Sequence, residues 1–170
     1  MPSPSPAHAH IPPARDRRTG VILVATTIAA LTLTSCGSSD DVLGPAPEQG
    51  RDIFRYETFG DEAKWTDTLR LHEVIASSVD PTTALAVGMK VDAEALPASV
   101  VAGIQDGSIS LTSPATTVAL IKLDAVVGLK GTVETVGGVD RLTRVGITCA
   151  LCHSTVDDSF APGIGRRLDG

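Results

Sequence analysis

The chain has 170 residues, the length of one ordinary domain. A net charge of −6 argues against a nucleic-acid partner, which demands a basic face. Hydrophobic residues make up 42% of the chain, enough for a packed core, although part of that content sits in a leader. Only 3% is aromatic, and four of the five aromatics (Phe54, Tyr56, Phe59 and Trp65) crowd into one stretch. Such a cluster either covers something large and flat or forms a local aromatic core.

Residues 1–14 are rich in Pro, Ala and His and read as unstructured. Arg15, Arg17 and Arg18 then form a positive n-region, followed by an apolar run of fourteen residues, Val21 to Thr34. That is the length of a signal-peptide h-region and is short of the ~20 residues a membrane span needs. It runs into Leu33-Thr34-Ser35-Cys36, which resembles a bacterial lipobox. Residues 1–35 are therefore read as a lipoprotein signal peptide, with Cys36 lipidated as the new N-terminus; the alternative is an ordinary secretory signal cut nearby. Either way the chain leaves the cytoplasm, and with lipid on Cys36 it stays anchored to a membrane. The leader takes three basic residues and one acid, so the remainder carries 11 basic and 19 acidic residues, a net charge of −8.

Residues 36–48, with Gly37-Ser-Ser-Asp-Asp41 and then Pro45 and Pro47, read as a flexible tether. Residues 49–59 predict a short helix or turn. The spacing of Trp65, Leu69, His72 and Ala76 predicts one helix over 61–76, with these residues on a single apolar stripe. His72 on that stripe reads either as a core histidine with a satisfied ring nitrogen or as a ligand. Asp80-Pro81 predicts a capped helix that Gly88 ends, and Met89 follows it as core filler or as a thioether ligand. Short helices are predicted from Pro97 to Gln105, with Val100, Val101 and Ile104 inward, and from Ser113-Pro114, with Val118, Ile121 and Ala125 on one side. From Val126 the pattern turns to Val and Thr. Gly137-Gly138 divides it into two strands, 126–136 and 139–148, the signal of a β-hairpin.

The second strand leads directly into Cys149-Ala150-Leu151-Cys152-His153. C-x-x-C-H is the attachment sequence of c-type haem. The two thiols add across the haem vinyl groups, and the adjacent histidine is carried to the iron as its proximal ligand. The other readings of C-x-x-C are a redox disulfide and half a zinc site. Zinc needs two more ligands, and the processed chain has no further Cys besides Cys36 and only one more His. A thioredoxin-like site needs a βαβ context that this pattern lacks. Export agrees with the haem reading, because c-type haem is attached outside the cytoplasmic membrane.

Ile53 to Trp65, Thr68 to Ile75 and Val145 to Gly170 together resemble the front part of a family of bacterial exported cytochromes c. Its members are longer and typically carry a second C-x-x-C-H in a region related to di-haem peroxidase-like cytochromes. The resemblance implies that Cys149, Cys152 and His153 bind haem. In cytochromes c a proline after the motif commonly accepts a hydrogen bond from the proximal histidine, and Pro162 is the residue in that place. This chain departs from the family in having no second haem motif, so it reads as a C-terminally truncated member. A cytochrome c′ bundle also places the motif late, but it needs four long amphipathic helices where this pattern has one.

The expected fold is mainly α with a β-hairpin, an α+β chain whose domain over 49–170 has a cytochrome c-like haem segment, incomplete at its C-terminus. The expected function is single-electron transfer through covalent haem c and its iron, outside the cytoplasmic membrane, to redox partners with a basic docking face. The alternatives are a fragment of a di-haem peroxidase-like enzyme and a non-haem lipoprotein with a structural disulfide. His72 or Met89 is the expected distal ligand if the chain itself supplies one.

Overall fold

The computed structural model describes residues 46–170. The signal peptide, Cys36 and most of the tether lie outside the described residues. The described chain is mixed, 44% helical and 23% strand, which makes it α+β. Among the described residues, no helix is long and apolar enough to cross a membrane.

Helix α1 spans Pro47–Tyr56 and begins inside the stretch read as tether, with Pro47 in its first turn. Pro there loses no hydrogen bond, because the first N–H groups of a helix have no partner within it. The single helix expected over 61–76 is instead broken in two. A π-helical turn occupies Ala63–Thr68, Arg70 adopts a left-handed conformation (φ 53°), and α2 runs Leu71–Ser78. The break shifts the phase of the apolar stripe. Trp65 still packs on the core, but Leu69 is half exposed and Ala76 is exposed, while Leu71 and Ile75 take the inward positions.

The other helices follow their local signals closely. Helix α3 is Pro81–Ala86, and the Asp80 carboxylate accepts the Thr83 N–H at 2.9 Å. Helix α4 is Ala98–Gln105, with Val100, Val101 and Ile104 packed on the core. Helix α5 is Pro114–Lys122, and Val118 and Ile121 on it are buried, as is Ala125 just beyond.

Strand β1 is the buried pair Val91–Asp92, β2 is Leu129–Val136 and β3 is Val139–Ile147. The hairpin β2–β3 turns at Gly137 and Gly138, with φ of +60° and +81°. Positive φ at both central residues is what a two-residue turn matching the strand twist requires. One bulge shifts the register between Thr132 and Val133. Helix α6, Ala150–His153, follows at once, and then come β4 (Ser154–Val156), β5 (Ile164–Gly165) and β6 (Arg167–Asp169). β4 pairs antiparallel with β6, and β5 pairs parallel with β1. These pairings tie the end of the chain back to the middle of the fold.

The core lies where α2 and α5 pack on the hairpin. Ile121 and Val145 are its largest fully buried side chains, each worth about 1.5–3 kcal/mol of burial. A smaller apolar cluster of Val127, Ala150 and Val156, backed by Phe54, lies directly beneath α6.

Candidate functional site

The Cys149–His153 segment is held from three sides. Before it, Thr148 N–H donates to the Gly128 carbonyl at 3.0 Å. Beneath it, Ala150 is fully buried against Val127, Val156 and Phe54, and the backbone of Leu151 lies against Gly128. After it, Gly170 N–H donates to the His153 carbonyl at 2.8 Å, closing the β4–β6 ladder. The Phe54 of the aromatic stretch thus serves as part of the floor under the motif.

Strand β3, which delivers the chain to Cys149, is braced along its outer edge by side chains. Thr66 Oγ1 accepts the Val145 N–H and donates to the Val145 carbonyl, both at 2.8 Å. The Asp61 carboxylate accepts the Ile147 N–H at 3.1 Å and the Trp65 Nε1–H at 2.9 Å. The π-helical turn therefore acts as a substitute third strand. Trp65 is bound into this brace.

Cys149 caps α6, and its carbonyl accepts the N–H groups of Cys152 and His153, each at 3.3 Å. At about 100° per residue, positions 149, 152 and 153 fall on one side of the turn and 150 and 151 on the other. The burial agrees: Cys149, Cys152 and His153 are exposed, Ala150 is buried and Leu151 is partly buried. Both cysteines are free thiols. Cys152 and His153 line an open depression of about 330 Å³, walled by Ser154, Thr155, Leu168 and Asp169.

The depression has a fixed negative group. Asp169 accepts Ser154 Oγ–H at 2.7 Å on one carboxylate oxygen and Arg55 Nε–H at 2.7 Å on the other, and Arg167 Nε lies 3.0 Å from the first. Burial raises its pKa, but the hydrogen bonds from Ser154 and Arg55 and the charges of Arg55 and Arg167 outweigh that, and the carboxyl sits below the usual aspartate range. The Arg167 side chain is only 2% exposed, and its guanidinium lies over the Tyr56 ring at 5.9 Å.

His72 and Met89 are not in the wall of that depression. The His72 side chain is mostly buried, its Nδ1 has no hydrogen-bond partner among the described residues, and Nε2 lies 3.8 Å from Glu73. Met89 lines an apolar cavity that Leu151 bounds, on the inward side of α6. Pro162 is exposed in a turn closed by the Ile164 N–H to Ala161 carbonyl bond at 2.8 Å, and the adjacent Gly163 rests against Leu85 of α3. No hydrogen bond joins Pro162 to His153 among the described residues.

The donor set suits covalent haem. Two exposed thiols one turn apart and an imidazole beside them share a face that none of the described residues covers, and the motif needs no further side-chain ligand because the porphyrin supplies four nitrogens. Among the described residues, no group of three His, Cys, Asp or Glu side chains converges as a metal cage. Sequence reasoning did not find Asp61, Thr66, Gly128 or Asp169. The Asp61–Trp65 spacing of one helical turn hints at the first, but its decisive partner, Ile147, is 86 residues away. No family model, no curated protein and no solved structure matches this chain.

Proposed function

We propose that this protein is a c-type cytochrome that passes single electrons outside the cytoplasmic membrane. Cys149 and Cys152 carry the haem as thioethers, and His153 holds its iron. The observation that carries the reading is the shared exposed face of these three side chains on α6, with Ala150 and Leu151 turned inward. When bound, the haem supplies the one-electron chemistry. The chain's own residues do the rest. Gly128, Phe54 and Val127 form the floor on which α6 rests, so the thiols and the imidazole keep a fixed spacing. The Thr66 and Asp61 brace holds the strand that feeds the motif. Asp169, paired with Arg55 and Arg167, places an ion-pair cluster in the wall beside His153.

The haem segment is read as cytochrome c-like in its attachment chemistry. In this reading the sixth position on the iron is open or filled from outside the chain, and His72 and Met89 lie apart from the depression that Cys152 and His153 line. Export and a lipid anchor on Cys36 complete the proposal, and the net charge of −8 after processing favours a basic redox partner whose association weakens with salt.

The test is co-expression with a cytochrome c maturation system, followed by haem staining of a denaturing gel. A stained band at the size of the chain is expected, and it disappears in the C149S/C152S double variant. An exported, unstained chain in the presence of the maturation system would overturn the reading in favour of a disulfide.

A further inference from the structure

A second cavity lies behind α6, enclosed by α2, α3, α5 and the start of β2, with a volume of about 230 Å³. Its wall includes Ile75, Leu85, Met89, Leu120 and Leu151, and offers almost no polar surface. Val87 is in the wall and is 75% exposed, which puts the mouth at the C-terminal end of α3. Among the described residues, the one polar side chain in the wall is Thr117 of α5. It is 4% exposed, and its Oγ1 is buried with no hydrogen-bond partner among the described residues.

Water suits this space poorly. A buried water needs two to four polar partners, and apolar cavities of about 150 Å³ stay dry and take up benzene. A buried hydroxyl without a partner is also unfavourable. Threonine on a helix divides between two χ1 rotamers, and in the one observed Oγ1 pairs with no carbonyl of its own helix, which leaves the hydroxyl open to a partner in the cavity that Thr117 lines. An occupant that fits must be apolar over most of its surface, larger than benzene, and furnished with one hydrogen-bonding atom.

We propose that this cavity binds a small lipophilic molecule of two-ring aromatic size, with its single polar group paired to the Thr117 hydroxyl. The site is separate from the exposed face of α6, and the proposal does not depend on haem. Its occupant would touch Leu151 from the side opposite Cys152 and His153.

The test is calorimetric titration of the full chain with two probes, 1-naphthol and naphthalene. Both should bind, 1-naphthol about three- to tenfold tighter, the advantage of one net hydrogen bond. Thr117→Val keeps the side-chain shape and should abolish that advantage while leaving naphthalene affinity unchanged. Ala84→Phe, which fills the cavity from α3, should weaken both probes at least about tenfold, with far-UV circular dichroism confirming the fold. Ala84→Leu serves as the smaller filler if the phenylalanine variant does not fold. The proposal is overturned if neither probe binds up to its solubility limit, if 1-naphthol has no advantage, or if a folded filler variant binds like the wild type.

Discussion

Gly128 lies directly beneath the backbone of Leu151, so close that a methyl group on residue 128 would overlap the Leu151 Cα and N. The contact joins the start of the hairpin to the middle of the C-x-x-C-H turn. Gly128 also has φ +84°, which L side chains rarely adopt. Gly128→Ala therefore has two faults. The backbone conformation alone costs about 1–2 kcal/mol, and the overlap pushes α6 off its floor. The expected result is a lower urea midpoint together with a reduced yield of covalent haem. A variant within about 0.5 kcal/mol of the wild type would show that α6 is not held by this contact.

Asp61 serves two donors, the Ile147 N–H and the Trp65 indole. Asp61→Ala leaves both without their acceptor in a partly buried place and should destabilise the chain by about 1–3 kcal/mol. Asp61→Asn retains one acceptor oxygen and should fall between. Urea unfolding followed by the fluorescence of Trp65, the only tryptophan, measures both. Equal stability of Asp61→Ala and the wild type would remove the brace from the account.

Asp169 makes the acid side of the stability profile informative. Its folded-state pKa is lowered, so its contribution is fully present above the ordinary aspartate value of about 3.9 and is lost as pH falls through the lower folded value. Wild type should therefore lose its stability advantage over Asp169→Asn as pH falls from about 5 through and below the ordinary aspartate value. Thermal unfolding across that range shows it. A constant difference between the two proteins would mean that Asp169 titrates alike in the folded and unfolded chains.

The ligand proposal makes a spectroscopic prediction. His72→Ala and Met89→Ala should each leave the spectrum of the haem-loaded protein unchanged, and the reduced protein should be high-spin and bind CO readily. A low-spin spectrum that disappears in His72→Ala would return His72 to the iron. A band near 695 nm that disappears in Met89→Ala would do the same for methionine.

The anchor is tested through Cys36. Wild type should partition with membranes, and Cys36→Ser should shift the chain toward the soluble fraction, because it removes the acyl chains that the reading places on Cys36. Identical partitioning of the two would disprove lipidation.

Local chemistry was legible in the sequence alone. The Asp80 cap before Pro81, Pro114 in the first turn of α5 and the Gly137-Gly138 turn each place their own elements, because a cap, a first-turn proline or a turn is decided within four residues. The spacing of Cys149, Cys152 and His153 carries the haem proposal, and helical geometry puts all three on one face without reference to the rest of the fold. Tertiary structure decided what depends on distant partners. The break at Arg70 follows from Thr66 and Asp61 turning to bond Val145 and Ile147, residues 79 and 86 positions away, which a helical period cannot anticipate. The pairing of Val91–Asp92 with Ile164–Gly165, the charge pinned at Asp169 and the position of Met89 behind α6 arise in the same way. Each is a contact between segments whose local sequences carry no sign of one another, and only packing brings them together.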